Sequence, residues 1–349
     1  MLGIEKRAFR IAWTVFLLFL LITVIYQIRE TILVFAAAIF CSYILSPTVS
    51  LVQQFTTKRR GTALAIVYVL LIGAIVGVGF AILPAIASQA TSLLTRLPSL
   101  VAGAQVSTIP LPGFLEPMRE QIIVALQKEA TNLENSAVPL IQQAGSRLLS
   151  GFSLVLPIIL IPIFSFFFLK DGHEMKEAFV AAFRDMRTRA TAELIMEDMH
   201  NVLKNYIRAL VILALISFGV YSLVLKLIGI PYELLIGGVA AVLEFIPVIG
   251  PVVVLAILIV LTAVTSIGKL IWVVVFWVVY RFFQDYVLNP LLMRAGLELH
   301  PLLVLFGVLA GDQIGGVAGM FFSVPVLAIL KVIYLHMSTA GVRKDLTPA

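Results

Sequence analysis

The chain has 349 residues, of which 61% are hydrophobic and 13% carry a charge, with a formal net charge of +6. An ordinary soluble domain is about half apolar and a quarter charged, so this composition excludes a soluble enzyme, a disordered protein and a disulfide scaffold. It predicts an all-α polytopic membrane protein that contacts the lipid bilayer, because helices satisfy their own backbone polar groups in lipid. The basic residues lie in short clusters beside apolar runs, which favours cytoplasmic loops over nucleic-acid binding.

Residues 1–87 are predicted to contain three membrane spans. Their apolar runs cover residues 11–25, 31–47 and 62–87. Each run is close to the about 20 residues that cross a hydrocarbon layer. The first run follows basic residues and has no small-residue cleavage pattern after it, so we expect an uncleaved span rather than a signal peptide. The basic clusters before the first run and at residues 58–60 predict a cytoplasmic N-terminus.

The middle of the chain alternates between polar and apolar segments. Residues 88–150 are rich in Gly, Pro, Ser and charged residues, and they predict an extracytoplasmic helical insert. Residues 151–169 predict a fourth span, kinked at Pro157 and Pro162. Residues 170–205 carry many charges of both signs, which is typical of a cytoplasmic helical connector.

Residues 206–335 are predicted to form a transport core, followed by a cytoplasmic tail at 336–349. Two full spans alternate in it with two interrupted apolar segments. The spans are 206–228 and 271–288, and the interrupted segments are 232–265 and 302–335. Prolines and glycines break the first segment at 245–251, and glycines break the second at 311–316. Each limb of the first broken segment is about 13 residues long, too short to span alone, and the second segment likewise begins with a short apolar limb that ends at Gly311.

Two broken segments at matching positions predict an inverted repeat, in which each unit is one span plus one re-entrant hairpin. In this interpretation there are about six full transmembrane helices, and the two hairpins enter from opposite membrane faces. Broken helices expose backbone groups at membrane depth, where they can bind a polar solute or an ion. The alternative of two kinked full spans stays open at this stage.

Several motifs, in order along nearly the whole chain, resemble the autoinducer-2 exporter family. They are Ser46-Pro47, Leu169–Gly172, Gly229–Tyr232, Gly237-Gly238, Phe245–Pro251, Asn289-Pro290, Gly296–Pro301, Gly315-Gly316, Gly319 and Ser323–Pro325. The resemblance implies a multi-span permease of the bacterial cytoplasmic (inner) membrane. Some members are linked to export of the furanosyl signal autoinducer-2, and others to exchange of sodium or lithium for protons. This chain has Glu244 where the family often has an amide, and Val248 where it often has an aromatic residue, so the substrate can differ.

Polar side chains at the breaks are the candidate site. The residues predicted to bind a substrate or an ion are Glu244, Pro247, Gly250, Gln284, Asn289, Asp312 and Gln313. Ionisable groups at membrane depth face a cavity or a partner, so Glu244 and Asp312 would share one polar site if the breaks meet. Each of these carboxylates could instead only cap a helix start. Arg281 and Asp285 are four residues apart on one helix and are predicted to form a structural ion pair.

The expected function is a secondary transporter that exports a small polar solute, similar to autoinducer-2, or an ion, coupled to a proton or sodium gradient. The chain has no phosphate-binding loop for ATP and no metal-ligand spacing, so we expect neither a cofactor nor a metal. An intramembrane aspartyl protease is disfavoured, because Leu309 replaces the first glycine of the Gly-x-Gly-Asp pattern, and no enzyme is expected. The alternatives are a Na⁺(Li⁺)/H⁺ antiporter and a channel-like protein. The expected partners are the solute or a monovalent cation, lipid, and other copies in a homo-oligomer.

Overall fold

The computed structural model describes residues 6–55, 60–103, 152–292 and 299–345, together with the isolated positions 120, 121, 124 and 128. Nearly all of these residues are helical, and the described ranges contain no strand. The helices, numbered here in chain order, are α1 Lys6–Gln27, α2 Arg29–Phe55, α3 Arg60–Gly103, α4 Phe152–Ala181, α5 Met186–Ile228, α6 Glu233–Leu243, α7 Ile249–Ser266, α8 Leu270–Leu292 and α9 Pro301–Asp345.

The predicted all-α membrane protein is confirmed. By length and composition alone, six of the described helices could cross a membrane, namely α1, α2, α3, α5, α8 and α9, although α9 folds back on itself, as described below. Residues 152–169 of the predicted fourth span lie in α4, which runs on without a break to Ala181. Helix α1 buries none of its apolar window inside the chain, so its surface is suited to contact with lipid.

Four of the predicted boundaries, 87/88, 169/170, 205/206 and 335/336, fall inside continuous helices. Helix α3 extends to Gly103, well into the predicted insert, most of which lies outside the described residues. The predicted connector consists of the last turns of α4 and the first turns of α5, joined by a short turn. Asp185 caps α5 by accepting a hydrogen bond from the Thr188 N–H at 3.0 Å. The same bond, with a second one from the Thr188 hydroxyl, holds the pKa of the Asp185 carboxyl below its ordinary value.

The first broken segment folds back as a helical hairpin made of α6 and α7. Helix α6 has 11 residues and is therefore about 16 Å long, too short to cross the hydrocarbon layer. At the tip, the Ile249 N–H donates to the Pro247 carbonyl at 2.7 Å, closing a tight turn around Val248. A Cβ at Gly250 would lie 1.9 Å from the Leu243 carbonyl oxygen, so the turn needs glycine there.

The second broken segment also folds back, although it belongs to α9, whose 45 residues form one nearly unbroken run of helix. Gly315 and Gly316 leave the helical conformation, and Gly316 has φ +58°. A Cβ on Gly319 would lie 1.9 Å from the Gly311 carbonyl oxygen, and one on Gly307 would lie 2.5 Å from Leu327 Cδ1. In a straight helix, positions 307 and 327 would be about 30 Å apart. Residues 301–314 and 317–345 are therefore the two limbs of a hairpin, not one long crossing.

The two hairpins start from opposite ends of the apolar part of α5. The base of the first is held by Lys269 Nζ, which donates to the Gly229 carbonyl at 2.7 Å. The base of the second is held by His336 Nε2, 3.2 Å from Asp198 Oδ2. We refer to these two ends as the Gly229 face and the Asp198 face. This geometry is the inverted arrangement that the sequence predicts, and kinked full spans do not fit it.

Close packing holds the first hairpin against its neighbours. Its two helices share a buried apolar cluster with α5 and α8, which includes Tyr221, Ile236, Ala240, Leu258 and Val273. Lipid is as apolar as these side chains, so shape complementarity and polar contacts, rather than the hydrophobic effect, hold helices together in a membrane. A Cβ on Gly237 would lie 2.2 Å from Ser222 Oγ, so glycine allows α6 to approach α5 closely.

Candidate functional site

The candidate site is built around Glu244, the residue at which α6 ends. Its backbone N–H still donates to the Ala240 carbonyl at 3.0 Å, so the side chain is fixed to the last turn of the helix. The chain then turns through Pro247, which cannot donate a backbone hydrogen bond and prevents the helix from continuing. The carboxylate is thus placed at the tip of the first hairpin, between α5 and α8.

Two helices supply polar partners to this carboxylate. The Ser217 hydroxyl of α5 donates to Glu244 Oε2 at 3.0 Å, and the Gln284 amide of α8 donates to Glu244 Oε1. Ser217 Oγ also lies 2.8 Å from the Tyr280 hydroxyl. Ser217 and Gln284 are 0% and 2% exposed, respectively. A buried charge is tolerated only when it is paired or hydrogen-bonded, and this network supplies the hydrogen bonds.

A small cavity opens beside the carboxylate. Its lining residues are Tyr221, Ala240, Glu244, Gly250, Pro251, Val254, Arg281 and Gln284. It leaves about 10 Å³ of room for the centre of a water molecule, which is on the order of one ordered water or one bare ion. The cavity lies at the junction of both hairpin limbs with α5 and α8, so movement of the hairpin would change its size.

The helix opposite the carboxylate is irregular at this point. Residues Gln284–Leu288 of α8 form a π-helical turn, a feature that is common at functional sites because it redirects side chains. Arg281 Nε lies 3.1 Å from Asp285 Oδ2, so the structure contains the expected ion pair. Asn289 Nδ2 donates to Asp285 Oδ1 at 3.2 Å, and it therefore supports that ion pair rather than the Glu244 network.

The structure brings some of the predicted residues together and leaves others apart. Glu244, Gly250 and Gln284 line the same cavity. Asp312 and Gln313 are exposed near the tip of the second hairpin, and neither belongs to the described lining of the cavity. The hypothesis of one site that joins both breaks therefore does not match this conformation.

Ser217, Tyr221 and Tyr280 were not predicted from the sequence as site residues. All three lie within apolar runs where a single hydroxyl attracts little attention. Their spacing gives a weak signal, because Ser217 and Tyr221 are four residues apart and share one face of α5. A search for polar residues on the buried face of each span would have found them.

Comparison with known proteins agrees with this architecture. A family model described as AI-2E family transporter matches residues 14–339. The candidate transport protein YueF of Bacillus subtilis (strain 168) is 25% identical over 93% of this chain and 92% of its own length. YrrI, a candidate transport protein of the same organism, is 26% identical over 86% of this chain and 84% of its own length. The candidate permease PerM of Escherichia coli (strain K12) is 25% identical over 85% of this chain and 84% of its own length.

Proposed function

The chain belongs to the AI-2E transporter family, and we propose that it is a secondary transporter of the cytoplasmic membrane in which Glu244 binds the coupling ion. The transported substance is a small polar solute, similar to autoinducer-2, or an ion. A proton or sodium gradient supplies the energy, and both termini lie in the cytoplasm. The observation that carries this proposal is a half-buried carboxylate at the tip of a helical hairpin, which accepts hydrogen bonds from the buried side chains of Ser217 and Gln284 and lines a cavity.

Charge around the cavity favours a cation or a proton as the coupling ion. Arg281 is the lining residue with a positive charge, and it already pairs with Asp285 at 3.1 Å. The ionised Glu244 carboxylate is thus left with hydrogen bonds from neutral groups and no positive charge of its own. An uncompensated charge is unfavourable at membrane depth. Binding of either a proton or a monovalent cation neutralises the negative charge of Glu244. The two can therefore bind to this carboxylate in turn.

The cavity is large enough for a coupling ion but too small for a larger solute. Room for about one water suits a proton or a bare cation, whereas a furanosyl compound would require the hairpins to move apart. In the proposed cycle, binding of the coupling ion to Glu244 changes the stability of the closed position of the hairpin. Ion binding is thereby linked to the access of the solute to the site. Asp312 and Gln313, which are also among the residues predicted to bind the substrate or ion, would then act in a conformation in which the second hairpin has moved.

The second candidate function is exchange of Na⁺ or Li⁺ for H⁺ with no other solute. The small cavity favours it, because no larger molecule fits beside Glu244 in this conformation. A channel-like activity without coupling is the third alternative. It predicts flux that does not depend on the Glu244 carboxylate.

The test uses the full-length protein in proteoliposomes that contain autoinducer-2, sodium or a pH-sensitive dye in turn. Glu244→Gln removes the charge but keeps an oxygen that can accept from Ser217, so we expect coupled exchange to fall to the level of protein-free liposomes. The matched control is Glu233→Gln, the same chemical change at the other end of α6, which should leave exchange unchanged. Asp312→Asn tests the second hairpin separately.

Wild-type exchange of autoinducer-2 for protons would support solute export, and exchange of sodium for protons alone would support the antiporter. If Glu244→Gln moves each substance as the wild type does, Glu244 is not the coupling residue. The channel would be supported if one substance flows down its own gradient in both the wild type and Glu244→Gln, and if a gradient of a second substance does not accelerate that flux.

A further inference from the structure

Four phenylalanine rings pack together where the two hairpins approach each other. Phe245 belongs to the tip of the first hairpin, Phe321 and Phe322 to the second limb of the second hairpin, and Phe40 to α2. The ring centroids are 5.1 Å apart for Phe245 and Phe321, and 4.8 Å apart for Phe40 and Phe321. Phe40 also lies edge-on to Phe245 and Phe322. We name these four residues the phenylalanine layer.

The layer has the Glu244 cavity on one side and polar groups on the other. Phe245 directly follows Glu244 in the chain, so the layer begins where the carboxylate site ends. Phe40 and Phe245 also pack against a buried cluster that contains Leu203, Tyr206 and Leu210, near the Asp198 face. Beyond it, the Tyr43 hydroxyl lies 3.1 Å from His200 Nδ1. Along α5, Ser217 and Tyr206 are separated by about 16 Å of helix.

A second, independent observation next to the layer is the buried hydroxyl of Tyr206. Its side chain is 6% exposed, and its hydroxyl has no hydrogen-bond partner among the described residues. A buried hydroxyl without a partner is unfavourable, so a conformation in which water or a solute reaches it gains a hydrogen bond. The hydroxyl belongs to the cluster that packs against the phenylalanine layer, so separation of the layer would give that access.

We propose that the phenylalanine layer is the gate that closes the path between the Glu244 cavity and the Asp198 face in this conformation. Phe245 and Phe321 come from different hairpins, and their rings must separate for a solute or hydrated ion to pass. An apolar constriction blocks ions because it excludes water. Once the rings separate, the Tyr206 hydroxyl is the first polar group that a solute meets beyond the gate. The inference rests on the proposed function, since it assigns a gate to that same path.

The first test measures leak in proteoliposomes without a counter-solute. Phe321→Ala removes the ring at the centre of the layer, and we expect a several-fold rise in passive sodium or proton flux over the wild type. Phe321→Leu keeps an apolar side chain of similar reach, so its flux should stay close to that of the wild type. The matched control is Phe282→Ala, whose ring is 60% exposed and stacks only on Tyr286 in the described structure; it should not leak.

The second test measures access and needs no transport activity. Ser217→Cys, in a background with Cys41→Ala, places one thiol beside the Glu244 cavity. A membrane-impermeant thiol reagent, added to vesicles of each orientation, should label it faster from the Asp198 face when Phe321→Ala is present. Phe40→Ala, which removes a ring from α2 instead, provides a second gate variant in case Phe321→Ala does not fold.

The two tests distinguish failure of the gate proposal from failure of the proposed transport function. If both gate variants fold but neither raises leak or labelling from the Asp198 face, the gate is overturned, although Glu244→Gln can still abolish exchange. If labelling rises while wild-type liposomes exchange none of the three substances, the gate stands and the transport proposal fails.

Discussion

The close contact between Gly311 and Gly319 gives the sharpest test of the second hairpin. A Cβ on Gly319 would lie 1.9 Å from the Gly311 carbonyl oxygen, and the nearest atoms are all backbone. To reach the 3.4 Å of ordinary contact, that carbonyl would have to move away by about 1.5 Å. A backbone atom cannot rotate aside, so Gly319→Ala forces the two limbs apart.

The expected effect combines two opposing contributions. Overpacking of this kind destabilises proteins by about 1–3 kcal/mol, while alanine is favoured over glycine in a helix by up to about 1 kcal/mol. Because the clash is with backbone atoms, we place its cost in the upper half of that range, and we therefore expect Gly319→Ala to lower the free energy of unfolding by about 1–2 kcal/mol. Gly77→Ala is the matched control, because nothing lies within 4 Å of a Cβ built there. It should leave stability unchanged or raise it slightly.

The assay is thermal unfolding of purified protein in detergent, followed by tryptophan fluorescence, with wild type, Gly319→Ala and Gly77→Ala measured side by side. The expected order of Tm is Gly319→Ala below wild type, with Gly77→Ala at or above it. If Gly319→Ala melts as high as Gly77→Ala, the limbs are not in contact at this point. The fold-back in the second broken segment would then be wrong, and a long kinked span would explain the data better.

Two further predictions concern backbone strain at the hairpin tips. Val248 adopts φ +67°, a left-handed conformation that disfavours a β-branched residue by about 1–2 kcal/mol. Val248→Gly should therefore raise Tm. An unchanged or lower Tm would argue against strain at this turn. Gly316 has φ +58° and ψ −141° with open space around it, so Gly316→Ala should destabilise through the backbone alone, by roughly 1–3 kcal/mol. The same unfolding assay checks it, and a Tm equal to that of the wild type would show that the kink has another conformation.

The sequence was sufficient for those features that depend on one segment at a time. Membrane helices follow from composition and the length of apolar runs, since transfer into lipid is a property of each segment. The two breaks follow from Pro247, Pro251 and the paired glycines at 315 and 316, because helix breaking is local. The pairing of Arg281 with Asp285 follows from a spacing of four residues on one helix.

The tertiary structure decided which segments meet. Ser217 and Gln284 are far from Glu244 in the chain, and only the packing of α6 between α5 and α8 makes them its partners. The same packing leaves Asp312 exposed, although its position in the second break resembles that of Glu244 in the first. In lipid no hydrophobic force selects one helix neighbour over another, so close fit and hydrogen bonds between distant residues make the choice. Those contacts depend on the three-dimensional arrangement, and no local pattern of the sequence contains them.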